Sequence, residues 1–220
     1  MIDTNQIKNI ILDCDGVIFD SNKLKTQAFE DTLTFHKVDQ ENVRSFIDYH
    51  KAQGGVSRYI KFEYLIKEIM KVPFDPSFYQ SLLEKYSEIS QEAYLKSSFT
   101  DGCNEFLSKV SSLNIRLFVA SGSDEAELNT IFKLRNIDHY FNQIFGSPKT
   151  KYEILTKFIL PGQNKDSFLM IGDAIADMDS SYKAGIKGIA MKQYSENLLG
   201  LCDSAEKFGF ATINNLSEII

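Results

Sequence analysis

A chain of 220 residues, 43% of them hydrophobic, suits one large domain or a core with a smaller insert, and it excludes a protein dominated by disorder. Its 24 basic residues against 30 acidic ones give a net charge of −6, which argues against any general attraction to nucleic acid or an anionic membrane. An anionic ligand then needs a local positive site.

No apolar run approaches the roughly 20 residues of a membrane span. The opening MIDTNQIKN lacks a basic segment followed by an apolar one, so a cytoplasmic protein is expected. Cys14, Cys103 and Cys202 show no CxxC or Cys/His spacing, which indicates neither zinc nor a disulfide framework. Cys14 lies between two aspartates, but alternation along a strand points it away from them and makes it a buried structural thiol.

In chain order, Ile7 to Asp13 is apolar almost throughout, as a parallel strand covered on both faces should be. Helical spacing then takes over around Thr26 to Phe35, Glu41 to Lys51, Ser57 to Met70 and Ser77 to Lys96, with no strand signal among them. From Thr100 strands and helices alternate. Helix Cys103 to Leu113, strand Ile115 to Ala120 and helix Glu125 to Leu134 lead to a short strand near Gln143 to Phe145. Helix Tyr152 to Ile159, strand Phe168 to Ile171, helix Asp177 to Ala184 and strand Ile186 to Met191 follow. Asn114 and Gly185 sit where left-handed helix ends are expected, and Ser123 is a candidate N-cap. The pattern is an α/β core with a parallel sheet, residues 1–21 and 97–220, interrupted after its first strand by a helical insert, residues 22–96.

Open parallel sheets collect ligands beyond the carboxyl ends of their strands. Those places carry Asp13 and Asp15, then Ser121 and Gly122, then Lys149 and Lys151, then Asp173. Asp13 and Asp15 fall on one side of the chain, and two close carboxylates repel unless a cation or a shared proton intervenes. With Asp173 as a third acid, the set suits Mg2+, which prefers oxygen ligands and a substrate phosphate. Asp13 can then attack phosphorus to form an aspartyl phosphate, while Asp15 protonates the leaving alcohol and later takes a proton from water. Ser121, the Gly122 amide and a lysine fit the donors that the transition state needs. A calcium loop is excluded, because Val17 and Leu24 stand at the fifth and twelfth loop positions.

Four ordered motifs, "LDCDGVIFDS", "FVASGSD", "PKTK" and "IGDAIADMDSSYKAG", resemble those of the haloacid-dehalogenase-like superfamily and run from Leu12 to Gly185. The resemblance implies a Rossmann-like core with an inserted helical cap domain. It also implies Asp13 as nucleophile, Asp15 as acid/base and backbone-carbonyl donor to magnesium, Ser121 as phosphate ligand and Asp173 as metal ligand. Asp177 would stand behind the metal or touch it occasionally. Dehalogenating relatives lack the second acid of the first motif, so Asp15 points to phosphate chemistry. Relatives place the phosphate lysine at either Lys149 or Lys151; Lys151 is preferred, since no prolines follow Lys149.

Within the insert, "GGVSRYIKF" is similar to the cap loop of β-phosphoglucomutase-like and phosphoglycolate-phosphatase-like members. Ser57 could cap the next helix, and Arg58 and Lys61 share a face three residues apart. Arg58 is expected to bind the nonreacting end of an anionic substrate. Lys25 replaces the histidine of the mutases, which favours hydrolysis and makes Lys25 a candidate anion contact. The histidines His36, His50 and His139 show no metal spacing and are read as structural or surface groups. The expectation is a phosphatase acting on a small phosphorylated metabolite, with sugar phosphates among the candidates. A sugar phosphomutase is the alternative, and a noncatalytic phosphate-binding or switch protein ranks below it.

Overall fold

The computed structural model describes residues 6–219. Six parallel strands form one sheet in the order β3-β2-β1-β4-β5-β6. They are β1 (Asn9–Leu12), β2 (Arg116–Asp124), β3 (Gln143–Ser147), β4 (Phe168–Gly172), β5 (Lys187–Met191) and β6 (Ala211–Ile213). β1 lies in the middle, with Leu12 level with Val119 of β2 and Ile171 of β4. All four of its residues are buried, which is why that segment reads as an unbroken apolar run.

The order reverses direction around β1, so the crevice beyond its carboxyl end is the place where such sheets bind ligands. Helices cover both faces: α5 (Cys103–Ser111), α6 (Glu125–Leu134), α7 (Lys151–Glu153, continued by π-helical turns through Ile159), α8 (Ile175–Ala184) and α9 (Leu198–Phe208). Among the described residues, buried apolar clusters result, one with Ile10, Leu12, Val119 and Ile171, another with Ile11, Ala120, Phe168 and Met170, and a smaller one with Met178, Ala190, Leu201 and Ala205.

Between β1 and α5 stand the helices of the insert: α1 (Asn22–Phe35), α2 (Gln40–Ala52), α3 (Arg58–Tyr64, π-helical onward to Ile69) and α4 (Pro76–Lys96). They share a separate core in which Phe29 stacks on Tyr86 with ring centroids 4.0 Å apart and Phe46 and Phe62 pack edge-on to Phe29. Burying such a side chain is worth about 1.5–3 kcal/mol relative to exposure. Asp39 and Asp75 cap α2 and α4 by accepting from Glu41 N and Ser77 N, and Pro76 opens α4 where no amide partner is needed.

Three local readings change. The cap of α6 is Asp124, which accepts from Ala126 N and Glu127 N; Ser123 belongs to an extended β2 and turns its hydroxyl toward Asp15. Ser57 precedes α3 without a side-chain capping bond. Helix α9 and strand β6 extend the fold past the last element read from sequence. Asn114 and Gly185 do adopt positive φ, 54° and 73°. Among the described residues no helix is long and apolar enough to cross a membrane.

Candidate active site

Asp13 follows β1 directly, its amide donating to Ile171 O at 3.0 Å and so continuing the β1–β4 ladder. One carboxylate oxygen accepts from Cys14 N at 2.7 Å, and the other lies 2.7 Å from Lys151 Nζ. Lys151 also donates to Asp177 Oδ1 at 2.5 Å, bridging the first turns of α7 and α8. Asp173, just past β4, accepts from Asn22 Nδ2 at 2.6 Å. The carboxylates of Asp13, Asp173 and Asp177 are all buried and each offers an oxygen within 4.8 Å of the others.

Three buried carboxylates face one ammonium, and the electrostatics follow. Burial, with added repulsion from Asp177 and Asp15, pushes Asp13 up to about 7 against the pull of Lys151. Burial and the neighbouring Asp13 and Asp177 drive Asp173 well above the usual carboxylate range. Burial also raises Asp177, against Lys151. Burial opposes the charge of Lys151, but Asp13 and Asp177 outweigh it and raise the ammonium. An all-oxygen set short of positive charge is what a hard divalent cation would complete.

Asp15 has a different environment. One oxygen accepts from Lys25 Nζ at 2.8 Å and from Tyr94 Oη and Ser123 Oγ at 2.9 Å each, the other from Ser21 Oγ at 2.6 Å. Burial would raise this group, yet Lys25 and the hydroxyl donors overcome it and hold Asp15 at about 2. Two acids two residues apart are therefore shifted in opposite directions, Asp13 upward and Asp15 downward. The turn that follows them needs Gly16, at φ +72°, because a Cβ there would sit 2.1 Å from Asp173 Oδ2.

Ser121 is buried inside β2 and accepts from Ser123 N at 3.1 Å. Gly122 touches the insert: a Cβ on it would lie 2.4 Å from Gly55 O. Lys149 turns away to Glu125, at 2.6 Å. The structure thus brings Asp13, Lys151, Asp173 and Asp177 together and keeps Lys149 out. It places Lys25 on Asp15. Arg58 forms a buried two-pronged ion pair with Glu127 of α6, with Nη1 donating to Oε1 at 2.8 Å and to Ser87 Oγ at 2.9 Å, so its charge is already matched.

A pocket opens between the insert and the sheet, lined by Asp13, Asp15, Lys25, Arg58, Gly122 and Asp173. The sequence reading gave no site role to Asn22, His50, Lys61, Tyr94, Ser123 and Glu196, of which all but Tyr94 also line it. Glu196 had a findable signal, since it follows the fifth strand end. His50 is buried and lines the pocket.

A profile of the haloacid dehalogenase-like hydrolases matches residues 10–191. The chain belongs to that family and is an enzyme of it. A phosphoglycolate phosphatase from Aquifex aeolicus is 27% identical over 192 residues, 81% of each chain. A structure described as a predicted phosphatase from Clostridium acetobutylicum superposes with a TM-score of 0.77 at 18% identity, covering 97% of this chain and 96% of its own. YfnB of Bacillus subtilis, solved bound to magnesium, does so with a TM-score of 0.67 at 15% identity over 97% of both chains. Those two likenesses concern the fold.

Proposed function

We propose that the protein is a magnesium-dependent phosphatase that hydrolyses a small phosphorylated metabolite through an aspartyl phosphate on Asp13. The carrying observation is the meeting of Asp13 with Lys151, Asp173 and Asp177 beyond β1 and β4, inside a pocket that also holds Asp15. Asp13, Asp173 and the Asp15 carbonyl would hold the cation, with Asp177 beside them. When bound, the ion supplies positive charge that offsets repulsion between Asp13 and a phosphate dianion.

Asp13 attacks phosphorus, the ester P–O bond breaks, and Asp15 gives a proton to the leaving oxygen. Asp15 then takes a proton from a water that attacks the same phosphorus and frees Asp13. Lys151 Nζ, Ser121 Oγ and the Gly122 amide donate to the phosphoryl oxygens. The ion pair with Lys25 keeps Asp15 ionised, which is its competent form in the second step. The first step requires Lys25 to withdraw. Lys25 sits on α1, so residues 22–96 acting as a cap that moves against the core, 1–21 and 97–220, would withdraw it.

The test is phosphate release from a panel of phosphorylated metabolites, with magnesium or with chelator, comparing wild type with Asp13→Asn. Release by the wild type alone, dependent on magnesium, is expected; equal release by both would defeat the proposal.

A further inference from the structure

Four cationic side chains are buried around the pocket, and three have carboxylate partners: Lys25 has Asp15, Arg58 has Glu127, and Lys151 has Asp13 and Asp177. Lys61 of α3 has no carboxylate ion-pair partner among the described residues, although it is 2% exposed and lines the same pocket. Its Nζ donates to His50 Nδ1 at 2.7 Å.

The remaining bonds fix the protons. With Nδ1 accepting, His50 Nε2 carries the hydrogen and donates to Thr26 Oγ1 at 2.9 Å, and Thr26 donates in turn to the Glu196 carboxylate at 2.9 Å. Burial, with Lys61 and Lys25 nearby, keeps His50 neutral, as this chain of bonds requires. The relay orients the ammonium without neutralising it. A hydrogen bond to neutral imidazole leaves the ammonium at the pocket wall without a countercharge, a costly arrangement in a place of low dielectric.

We infer that Lys61 is the specificity-determining group of the pocket and binds a second anionic group, carboxylate or phosphate, at the nonreacting end of the substrate. The sequence assigned that role to Arg58, which Glu127 occupies. Burial and the neighbouring Lys25 lower Lys61 to about 7, against the pull of Glu196 and Asp15, so an incoming anion would restore its charge. The inference rests on the phosphatase reading for its chemistry, since the reacting phosphate is held at Asp13.

The experiment compares 2-phosphoglycolate, propane-1,3-diol bisphosphate and ethyl phosphate, with magnesium present, as substrates of wild type, Lys61→Met and Lys61→Arg. A charge-assisted contact of this kind is worth about 10- to 100-fold. Wild type should prefer at least one ester carrying a second anionic group over ethyl phosphate by that factor, expressed in KM. Lys61→Met should bring the preference close to one, and Lys61→Arg should keep most of it. Loss for the carboxylate alone, or the bisphosphate alone, identifies which anion is read. A wild-type preference near one overturns the inference without any variant, and so does a preference that Lys61→Met retains. Calorimetric titration of the same three compounds into Asp13→Asn, with and without Lys61→Met, reads the contact when no turnover occurs. No phosphate release by the wild type with a Lys61-dependent affinity difference would sink the phosphatase reading and keep the anion site.

Discussion

The Arg58–Glu127 pair ties the insert to the core, and breaking it should be costly. The two side chains are 4% and 9% exposed, and the guanidinium also lies over the Tyr86 ring, 4.8 Å from its centroid. Burial disfavours the Arg58 charge, yet the bonds to Glu127 overcome this and raise the guanidinium still further above its ordinary range. Glu127→Gln keeps the shape and removes the countercharge, leaving a buried cation with one amide oxygen and Ser87. Removing one partner of a buried pair costs about 3–5 kcal/mol. For a chain of this length that lowers the melting temperature by about 6–20 °C. The double variant Arg58→Met, Glu127→Leu should recover most of the loss, because Ser87 is partly exposed and can turn to water. Differential scanning calorimetry with urea titration measures both. A single variant within about 1 kcal/mol of wild type would refute the reasoning, for it would place the pair in a screened, wet environment. A double variant as unstable as the single one would refute it too, by showing that packing at this site outweighs charge.

Other outcomes follow from the same geometry. Magnesium at 100 times its dissociation constant should stabilise the protein by about 2.7 kcal/mol, or about 5–11 °C, and Asp173→Asn should lose most of that shift. A wild-type melting curve unmoved by magnesium would remove the cation site. Gly122→Ala drives a methyl to 2.4 Å from Gly55 O, so the insert loop must shift away from the core. The expected loss in kcat/KM is about 10- to 100-fold, with a stability cost of about 1–3 kcal/mol, and unchanged kinetics would show that the contact yields without consequence. Lys61 has a folded-state pKa of about 7 against an ordinary 10.5, so the unfolded chain holds the extra proton in between and stability from this group rises across that window as pH rises. Lys61→Met should therefore raise the melting temperature at pH 6 and lose that advantage by pH 10; a constant difference would contradict a buried, destabilised charge. The preference in kcat/KM for esters with a second anionic group should fall as pH rises through about 7, as Lys61 loses its proton while facing Lys25, Lys151, Asp15, His50 and Glu196.

What the sequence could and could not say divides along the range of the interactions involved. The gathering of Asp13, Lys151 and Asp173 at one end of the sheet was legible because each follows a strand, and the strands announce themselves as buried apolar runs; Ser121 falls inside a β2 longer than its apolar run. Lys151 prevailed over Lys149 for a local reason, its place at the start of α7, where Thr150 and Glu153 form a capping box. Ser123 and Asp124 are both competent caps, and only the length of β2 decides between them. Helix α9 left a readable trace, since Leu198, Leu201, Ala205 and Phe208 recur at helical spacing, but the short β6 has no comparable pattern. The roles of Arg58 and Lys61 were beyond reach, because each depends on a partner set by tertiary packing. Glu127 lies 69 residues away from Arg58, and the relay holding Lys61 draws one residue from each of α1, α2 and the loop after β5. Two cations three residues apart on one helix look equivalent in sequence. Their difference, one matched by a carboxylate of the core and one held by a neutral ring of the insert, arises only from tertiary packing.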